Sequence, residues 1–420
     1  MHRLTRRAAL VQGAAAALAP SARTLALPAV IPLSFWGGWT GPDGLAMQRL
    51  VARFNAETPD LRVTLTLYNW DLIFDRWRSQ FDGGSPPDLV GIHATEVAEF
   101  AVGGMLREIG REARAIGLSG DQFLAAPWKR CQVNGGLYAI PLDVHPLSLY
   151  INAGAARRAG LDPLNPPRTG GELLAWARRL TDRRRGQWGY AAPAGDVECF
   201  RQWFSLLYQN GGSFLDARGA HCLADGPQGV AAFSFLRSLI APLGVAMPQE
   251  GPVDADFLDG RVVMYPQGPW YIQGALQAGI SLVTAPMPLV GRRPAVWANS
   301  HVLAIVNTQD SARVTAAMRF IGWIHAHGLD WAQAGQVPAG NDARAQLPGT
   351  PVWRYLRPFV AQLPHIVYQP SLLAGTSLFA EQLPTPIITA TRAAMLGQQS
   401  AANAARAMSE GVDQALSPSF

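Results

Sequence analysis

An aspartate and a histidine interrupt an otherwise apolar, strand-forming stretch at positions 136–152. Asp143 and His145 are two positions apart, and because strand side chains alternate faces, the two project together from one face. Pro141 and Pro146 bracket the pair, and a proline cannot donate to a central sheet ladder. The chain is therefore expected to leave one sheet and enter another here. A polar pair at such a crossing predicts either ligand-binding groups or a pair satisfied by the backbone.

Tryptophans and polar residues recur where predicted strands end. The chain has 13 tryptophans. Several of them fall on predicted loops instead of within core periodicity, namely Trp39, Trp70, Trp270 and Trp297. Hydrogen-bonding groups occur at the same strand ends, among them Thr40, His93 and Glu96. Indole faces stack on the C–H faces of pyranose rings, while carboxylates, imidazoles and amides bond to hydroxyls. The combination predicts a sugar site.

Predicted strands and helices alternate in the first hundred residues. The strands are expected at 31–36, 61–68 and 88–93, and the helices at 44–57 and 71–82. This alternation is typical of an α/β fold with a largely parallel sheet. Later stretches predict mostly helices, with one helical stretch at 385–416. Ligands bind beyond the carboxyl ends of the strands in such sheets, which is where the polar residues fall.

The first 26 residues carry the blocks of an export signal in the usual order. A basic start that includes Arg6 and Arg7 precedes an Ala-rich apolar stretch and small residues up to Ala26. This order predicts a signal peptide, not a membrane span. Arg6 and Arg7 before the apolar stretch are also typical of a twin-arginine signal, with the general secretory route as the alternative. We expect a soluble periplasmic protein that begins near Leu27.

Charge and cysteine usage exclude several partners. The net charge is +5, but four of the 35 basic residues lie in the predicted signal, so the rest of the chain is nearly neutral. No basic patch typical of nucleic-acid binding is present. Cys131, Cys199 and Cys222 are widely spaced without a C-x-x-C motif, and a bridge between Cys199 and Cys222 stays open. We expect no nucleic-acid partner, no cofactor and no bound metal.

The chain is longer than one hydrophobic core usually organises. About 390 residues follow the predicted signal, which favours two lobes. No Pro/Gly/Ser-rich spacer separates two halves of the sequence. The lobes are therefore expected to be interleaved in sequence and joined by several short crossings.

Six short motifs occur in a fixed order along the chain. They are FNAETP at 54–59, PDLV at 87–90, GGLYAIP at 135–141, LYIN at 149–152, QNGG at 209–212 and GPW at 268–270. With the motifs in this order, the chain resembles the extracellular solute-binding proteins of bacterial ABC importers, in the family that includes maltodextrin-binding proteins. The resemblance covers residues 30–416.

The resemblance implies a fold and a mode of action. The fold is the α/β periplasmic binding protein fold, with two discontinuous lobes and a multi-strand hinge. We expect one lobe at 30–142 plus 299–343 and the other at 144–296 plus 346–420. Such a protein has no catalytic residues. It closes on a sugar or oligosaccharide and presents it to a membrane permease, and we expect it to be a monomer.

The resemblance also implies roles for individual residues. His145 stands where maltodextrin binders place a carboxylate, and Trp270 matches a tryptophan on which such proteins stack a sugar ring. An aromatic residue that such proteins carry after Asp88 is replaced by Ile92, which puts a long maltodextrin in question. The expected ligand-binding residues are Trp39, Thr40, Trp70, His93, Glu96, Asp143, His145, Trp270, Trp297, Ser300 and His301, with Asp196, Glu198 and Arg201 at the start of a helix that enters the cleft.

Two other functions are the alternatives. An exported glycoside hydrolase needs two carboxylates that flank a scissile bond, a role for which Asp143 and Glu96 are the candidates, but the predicted elements do not give eight βα units. A metal-chelate-binding protein would use His93, Glu96 and His145, although His-x-x-Glu at a strand end is a weak metal signal.

Overall fold

The computed structural model describes residues 30–247, 249, 251–380 and 384–417. The predicted signal peptide lies outside these residues. The strands of the described residues are β1 (Ile31–Gly37), β2 (Leu61–Leu67), β3 (Leu89–His93), β4 (Gln132–Val133), β5 (Gly136–Leu137), β6 (Ala139–Pro141), β7 (Asp143–Pro146), β8 (Ser148–Asn152), β9 (Trp188–Tyr190), β10 (Val262–Gln267), β11 (Leu282–Ala285), β12 (Val296–Asn299), β13 (His301–Ile305), β14 (Val337–Pro338) and β15 (Ile366–Tyr368).

The helices of the described residues are α1 (Pro42–Glu57), α2 (Trp70–Asp82), α3 (Val97–Val102), α4 (Gly110–Ala115), α5 (Ala125–Arg130), α6 (Ala153–Arg158), α7 (Gly170–Leu180), α8 (Val197–Gln209), α9 (Pro227–Ile240), α10 (Asp254–Leu258), α11 (Ile272–Gln277), α12 (Ser311–Ala326), α13 (Gly328–Ala332), α14 (Asn341–Gln346), α15 (Trp353–Ala361), α16 (Gly375–Leu378), α17 (Pro386–Met395) and α18 (Ala401–Leu416).

The first lobe is built on a sheet with the strand order β2-β1-β3-β13-β6. β1 runs parallel to β2 and β3, while β13 runs antiparallel to β3 and β6. The inward residues of β1 include Leu33 and Phe35, and Phe35 meets Phe320 of α12 edge to face at 5.5 Å. α1 begins with proline at its first turn, where a missing N–H costs nothing. Because α1 starts shortly after β1 ends, its first turn lies at the carboxyl end of β1.

The second lobe is built on a separate sheet with the strand order β11-β8-β10-β9. Helices α7, α8, α9, α17 and α18 share its core. α7 begins with a capping box in which Thr169 and Glu172 satisfy each other's backbone N–H groups. Trp203 of α8 is fully buried and lies 5.0 Å from Phe233 of α9. This contact holds α8 against α9. The first turn of α8 faces the space between the lobes.

A third sheet, with the order β14-β7-β12-β15, joins the two lobes. The consecutive strands β6, β7 and β8 belong to the first, third and second sheets in turn. The change of sheet predicted between Pro141 and Pro146 is therefore confirmed. The chain returns through β12 and β13, where Asn299 pairs with His145, and β14 adds a further strand at which Pro338 pairs with Asp143.

Three details differ from the sequence-based expectations. The sheets are mixed and not largely parallel, because β13 runs antiparallel to β3 and β6, and β8 runs antiparallel to β10 and β11. The helical stretch predicted at 385–416 is not continuous but is divided into α17 and α18, because Gly397 adopts a left-handed conformation with φ 71° between them. Cys131, Cys199 and Cys222 are all buried and free, so Cys199 and Cys222 form no bridge.

Among the described residues, none of the helices combines the length and the apolar character that a membrane crossing requires.

Candidate functional site

A cavity of about 690 Å³ lies between the lobes, where the carboxyl ends of strands and the first turns of helices meet. Its polar and aromatic lining from the first lobe and the connecting sheet consists of Thr40, Asp43, Trp70, His93, His145 and His301. Its polar and aromatic lining from the second lobe consists of Asp196, Glu198, Arg201, Asp254, Gln267, Trp270, Tyr271, Thr389 and Arg392. The cavity thus has two walls of different composition.

Each wall contains a half-buried indole that lies over a glycine. A Cβ on Gly38 would lie 2.0 Å from the ring of Trp70, and a Cβ on Gly268 would lie 1.9 Å from the ring of Trp270. Trp70 opens α2, whose first turn is capped by the side chain of Asn69. Trp270 follows the Gly-Pro turn after β10. Only a residue without a side chain leaves room for these rings, so the two glycines fix where the indoles lie.

The buried carboxylate of Asp143 organises the floor of the cavity. Asp143 is fully buried and accepts four hydrogen bonds. His301 donates its backbone N–H over 2.8 Å and its Nδ1 over 2.7 Å, His145 donates Nδ1 over 3.1 Å, and Trp331 donates Nε1 over 2.9 Å. Because the carboxylate binds Nδ1 of both imidazoles, their Nε2 edges face away from it. The two rings are therefore held in one orientation.

The ionisation of this group follows from its contacts. Burial alone raises the pKa of the Asp143 carboxyl, but the charge of His301 and the hydrogen bonds from His145 and His301 outweigh it, and the pKa lies well below its usual range. Burial and the charge of His301 lower the pKa of His145 to about 3, so its imidazole is neutral. Burial raises the pKa of the nearby Asp43 carboxyl.

A third imidazole completes an aromatic group around Trp70. The ring of Trp70 lies 4.1 Å from that of His93, and it is nearly parallel to that of His301 at 5.4 Å. Nδ1 of His93 lies 3.5 Å from a carboxylate oxygen of Glu96. One ring nitrogen from each of His93, His145 and His301 lies within 4.8 Å of the others. We call these three residues the histidine cluster.

The opposite wall carries charged side chains next to its indole. The guanidinium of Arg201 lies 5.2 Å from the ring of Trp270 and 4.5 Å from that of Trp297, and it pairs with the carboxylate of Glu198. Such cation–π contacts are strongest when the cation is shielded from water, as Arg201 is. Arg201 therefore helps to hold the ring of Trp270 in place on the second lobe.

An acidic and an amide side chain line the same wall as this arginine. Burial, together with the charge of Asp196, raises the pKa of the Asp254 carboxyl. Gln267 donates its amide N–H to Tyr265 over 3.0 Å and accepts from the backbone N–H of Gly268 over 2.8 Å. The wall thus offers both donors and acceptors to a polar ligand.

The structure brings six of the predicted ligand-binding residues together at the cavity. They are Thr40, Trp70, His93, His145, Trp270 and His301. The helix start predicted to enter the cleft, with Asp196, Glu198 and Arg201, also lines it. Whether these residues bind ligand stays a prediction.

The other predicted residues lie behind the cavity walls. Trp39 lies on a loop as predicted, but its indole is buried in the core, whereas the prediction of a loop for Trp297 is wrong, because Trp297 lies within β12 with its indole buried. Ser300 is also buried and shares a hydrogen bond of 2.7 Å with the hydroxyl of Tyr368. Glu96 accepts the backbone N–H of His93 over 2.7 Å and so supports the end of β3. With Asp143, these residues position the lining without reaching it.

Sequence reasoning missed several lining residues. Gln267 and Tyr271 flank the Gly-Pro-Trp motif, and Asp43 follows the proline that opens α1, so adjacency to recognised positions could have indicated them. Asp254 and Arg392 have no such signal. They reach the cavity only through the packing of α10 and α17 in the second lobe.

The fold is that of the two-lobed periplasmic binding proteins. A model of the family described as bacterial extracellular solute-binding protein matches residues 49–344, which is more than half of the chain. The chain belongs to this family.

Individual relatives agree with this assignment. The sn-glycerol-3-phosphate-binding periplasmic protein UgpB of Escherichia coli K12 is 24% identical over 219 residues, 50% of each chain. The chain thus spans about half the length of the curated relatives it matches, or less. A solute-binding protein from Thermotoga lettingae bound with alpha-D-tagatose shares 21% identity at a TM-score of 0.80, covering 92% of this chain and 100% of that one. UgpB from Mycobacterium tuberculosis with glycerophosphocholine shares 21% identity at a TM-score of 0.79, covering 92% and 98%. The two structures show the same fold.

Proposed function

We propose that this protein is the solute-binding component of an ABC importer and that it captures a sugar or short oligosaccharide between its lobes. The observation that carries the proposal is the pair of half-buried indoles, Trp70 and Trp270, on opposite walls of one cavity. Each has hydrogen-bonding side chains beside it. A ring stacked on an indole and bonded at its hydroxyls is the ligand that suits this arrangement.

The size of the cavity agrees with a ligand of this class. Small-molecule sites commonly enclose about 300–1,000 Å³, and this cavity measures about 690 Å³. Polar groups from both walls would satisfy hydroxyls on both faces of a sugar. Asp143 and Glu96, the carboxylates considered for a glycoside hydrolase, do not line the cavity, so this pair is not placed to flank a scissile bond.

A glycerophosphate is the second candidate ligand, because UgpB proteins are among the relatives. A phosphate would be bound by arginines, and the cavity contains Arg201 and Arg392. The four carboxylates of the lining outnumber these cations, and Arg201 is paired with Glu198. The balance of charge favours a neutral polyhydroxyl ligand.

The division of the chain supports capture by closure of the lobes. We propose lobes at 30–142 plus 299–343 and at 144–296 plus 346–420, since one hydrophobic core draws its residues from the first set and another, except for Trp297, from the second. A third core contains residues of both sets, such as Val337 and Tyr150. The short strands of the connecting sheet would serve as the hinge. Small-angle scattering of the monomer should show compaction on addition of ligand. An unchanged profile at saturation would contradict closure.

Export to the periplasm completes the proposed role. The basic, apolar and small-residue blocks before Leu27 support a cleaved signal. Mass spectrometry of the exported protein should find a chain that begins near Leu27. Replacement of Arg6 and Arg7 by lysine should block export if the twin-arginine route is used, and normal export of that variant would point to the general secretory route.

Binding can be tested directly by thermal-shift screening of the purified protein. The panel should contain monosaccharides, oligosaccharides and sn-glycerol 3-phosphate. A ligand at one hundred times its dissociation constant should stabilise the protein by about 2.7 kcal/mol. Stabilisation by a sugar without its chemical conversion supports the proposal, whereas a response to glycerol phosphate alone supports the second candidate. Turnover of a bound sugar would overturn the non-catalytic role.

A further inference from the structure

We propose that the histidine cluster of His93, His145 and His301 is a binding site for a divalent transition-metal ion of the zinc type at the floor of the cleft. The three residues come from the ends of three strands, β3, β7 and β13, that meet at this point. One ring nitrogen of each lies within 4.8 Å of the others. All three side chains line the cavity. The expectation of a protein without metal, drawn from the sequence, is replaced by this proposal.

The geometry agrees with a three-histidine site that has one open position. Imidazole nitrogens bind zinc at about 2.0–2.1 Å, which places the nitrogens of a tetrahedral site about 3.4 Å apart. The nitrogens of the cluster lie within 4.8 Å of one another, which is within reach of this spacing. The fourth position would face the cavity. A water molecule, or a hydroxyl or carboxylate oxygen of a solute, could occupy it.

The surroundings supply the carboxylates that usually support metal-binding histidines. Imidazoles that bind metals commonly donate their other N–H to a carboxylate, which fixes the ring and strengthens the ligand. Asp143 binds Nδ1 of both His145 and His301, over 3.1 Å and 2.7 Å. Nδ1 of His93 lies 3.5 Å from Glu96. One buried carboxylate thus aligns two imidazoles, and a second lies beside the third.

The charge around the cluster also favours a cation. The carboxylate of Asp143 is fully enclosed behind the cluster and contacts two of its imidazoles. Asp43 lies on the same wall. Imidazole ligands suit zinc, copper and nickel, whereas calcium and magnesium prefer oxygen ligands. The residues therefore point to a first-row transition metal.

Metal binding does not depend on the proposed capture of a sugar. The histidine cluster lies on the first-lobe wall and the connecting sheet, while Trp270 and Arg201 belong to the second lobe. Titrations with metal alone and with sugar alone in the presence of a chelator separate the two proposals. Failure of one titration leaves the other interpretable.

The test is isothermal titration of zinc chloride into chelator-treated, desalted protein that carries no polyhistidine tag. We expect one zinc ion per chain and a rise in melting temperature. His93→Gln should weaken zinc binding at least tenfold, since it removes one ligand and leaves the hydrogen bonds to Asp143 in place. His221→Gln is the matched control, because 72% of the His221 side chain is exposed and the residue does not line the cavity. Its zinc affinity should equal that of the wild type.

A spectroscopic measurement on the wild type keeps the proposal testable if His93→Gln does not fold. Electron paramagnetic resonance of the protein with one equivalent of copper(II) should show coupling to imidazole nitrogens. Zinc binding that His93→Gln leaves unchanged would overturn the proposal. So would the absence of zinc binding to folded wild-type protein, or a copper spectrum with oxygen ligands only.

Discussion

Both walls of the cleft place an indole over a glycine, but the side chains around the two indoles differ. Trp70 and Trp270 each lie over a glycine. The first wall adds imidazole rings, two of which are held by a carboxylate, Asp143, that is hidden from the cavity. The second wall exposes its charged groups, among them Asp254 and Arg201, to the cavity itself. Stacking is thus common to both lobes, while direct ionic contacts with a solute belong mainly to the second lobe.

The difference also concerns rigidity. Asp143 accepts four hydrogen bonds from groups on β7, β13 and α13, so the first wall is tied to three elements. A fully satisfied buried network of this kind holds its members in one arrangement. The hydrogen bonds that the Asp254 carboxylate accepts from Tyr265 and Gln267 are both 3.4 Å long, and Asp254 and Gln267 line the cavity. The first wall is a fixed floor, and the second is the side that can adjust to a solute.

The largest effect should come from removing the buried carboxylate of the first wall. Asp143→Ala leaves the donors of His145, His301 and Trp331 without an acceptor in a site closed to water. We expect a loss of about 3–5 kcal/mol in the free energy of unfolding, the usual cost of breaking a buried ionic group. Urea denaturation followed by circular dichroism measures it.

Asp254→Ala on the second wall is the matched comparison for Asp143→Ala. Its two hydrogen bonds are long, at 3.4 Å, and Tyr265 and Gln267 keep their contact with each other, so the loss should stay near 1 kcal/mol. Equal losses for Asp143→Ala and Asp254→Ala would show that the two walls do not differ in rigidity.

The next-largest effect distinguishes an indole that lines the cleft from an indole in the core of the same lobe. Trp270→Ala should keep the melting temperature close to that of the wild type and weaken sugar affinity at least tenfold, or about 1.4 kcal/mol. Trp203→Ala is the control, because its ring is fully buried and does not line the cavity. It should cost about 3–5 kcal/mol of stability. Unfolding of Trp270→Ala, or wild-type affinity in that variant, would mean that Trp270 is a packing residue.

The sequence predicts the fold and the crossings better than the orientation of side chains. The alternation of Asp143 and His145 and the flanking Pro141 and Pro146 are local, and they indicated the change of sheet correctly. The fourth hydrogen bond to Asp143 comes from Trp331, which is 188 positions away. No local pattern contains that contact.

Trp39 and Trp70 illustrate why the sequence could not show which of the four predicted tryptophans line the cavity. Both come shortly after the end of a predicted strand. The ring of Trp39 turns inward because Gly91 of β3 leaves space for it, and a Cβ on that glycine would lie only 2.2 Å from the ring. That space depends on which strands are neighbours. The ring of Trp70 lies over Gly38 instead and borders the cavity.

The smallest effects should come from the glycines beneath the two indoles, and they would sharpen the comparison of the walls. Gly268 has φ −82°, which alanine adopts without strain, so Gly268→Ala acts mainly by displacing the ring of Trp270. We expect sugar affinity to fall about threefold to tenfold, or about 0.6–1.4 kcal/mol, with zinc affinity unchanged. Gly274→Ala is the control, because a Cβ there meets no atom within 4 Å, and it should leave both affinities as they are.

Gly38→Ala is the counterpart on the first wall, and its expected result differs in kind. The displaced ring of Trp70 contacts both His93 and His301, so the change should weaken sugar binding and zinc binding together. Calorimetric titration of each variant with sugar and with zinc gives the four affinities. Loss of zinc affinity in Gly268→Ala, or its retention in Gly38→Ala, would contradict the assignment of the metal site to the first wall. Equal responses of both variants to sugar would show that a ligand uses the two indoles alike, because each glycine supports only the ring above it.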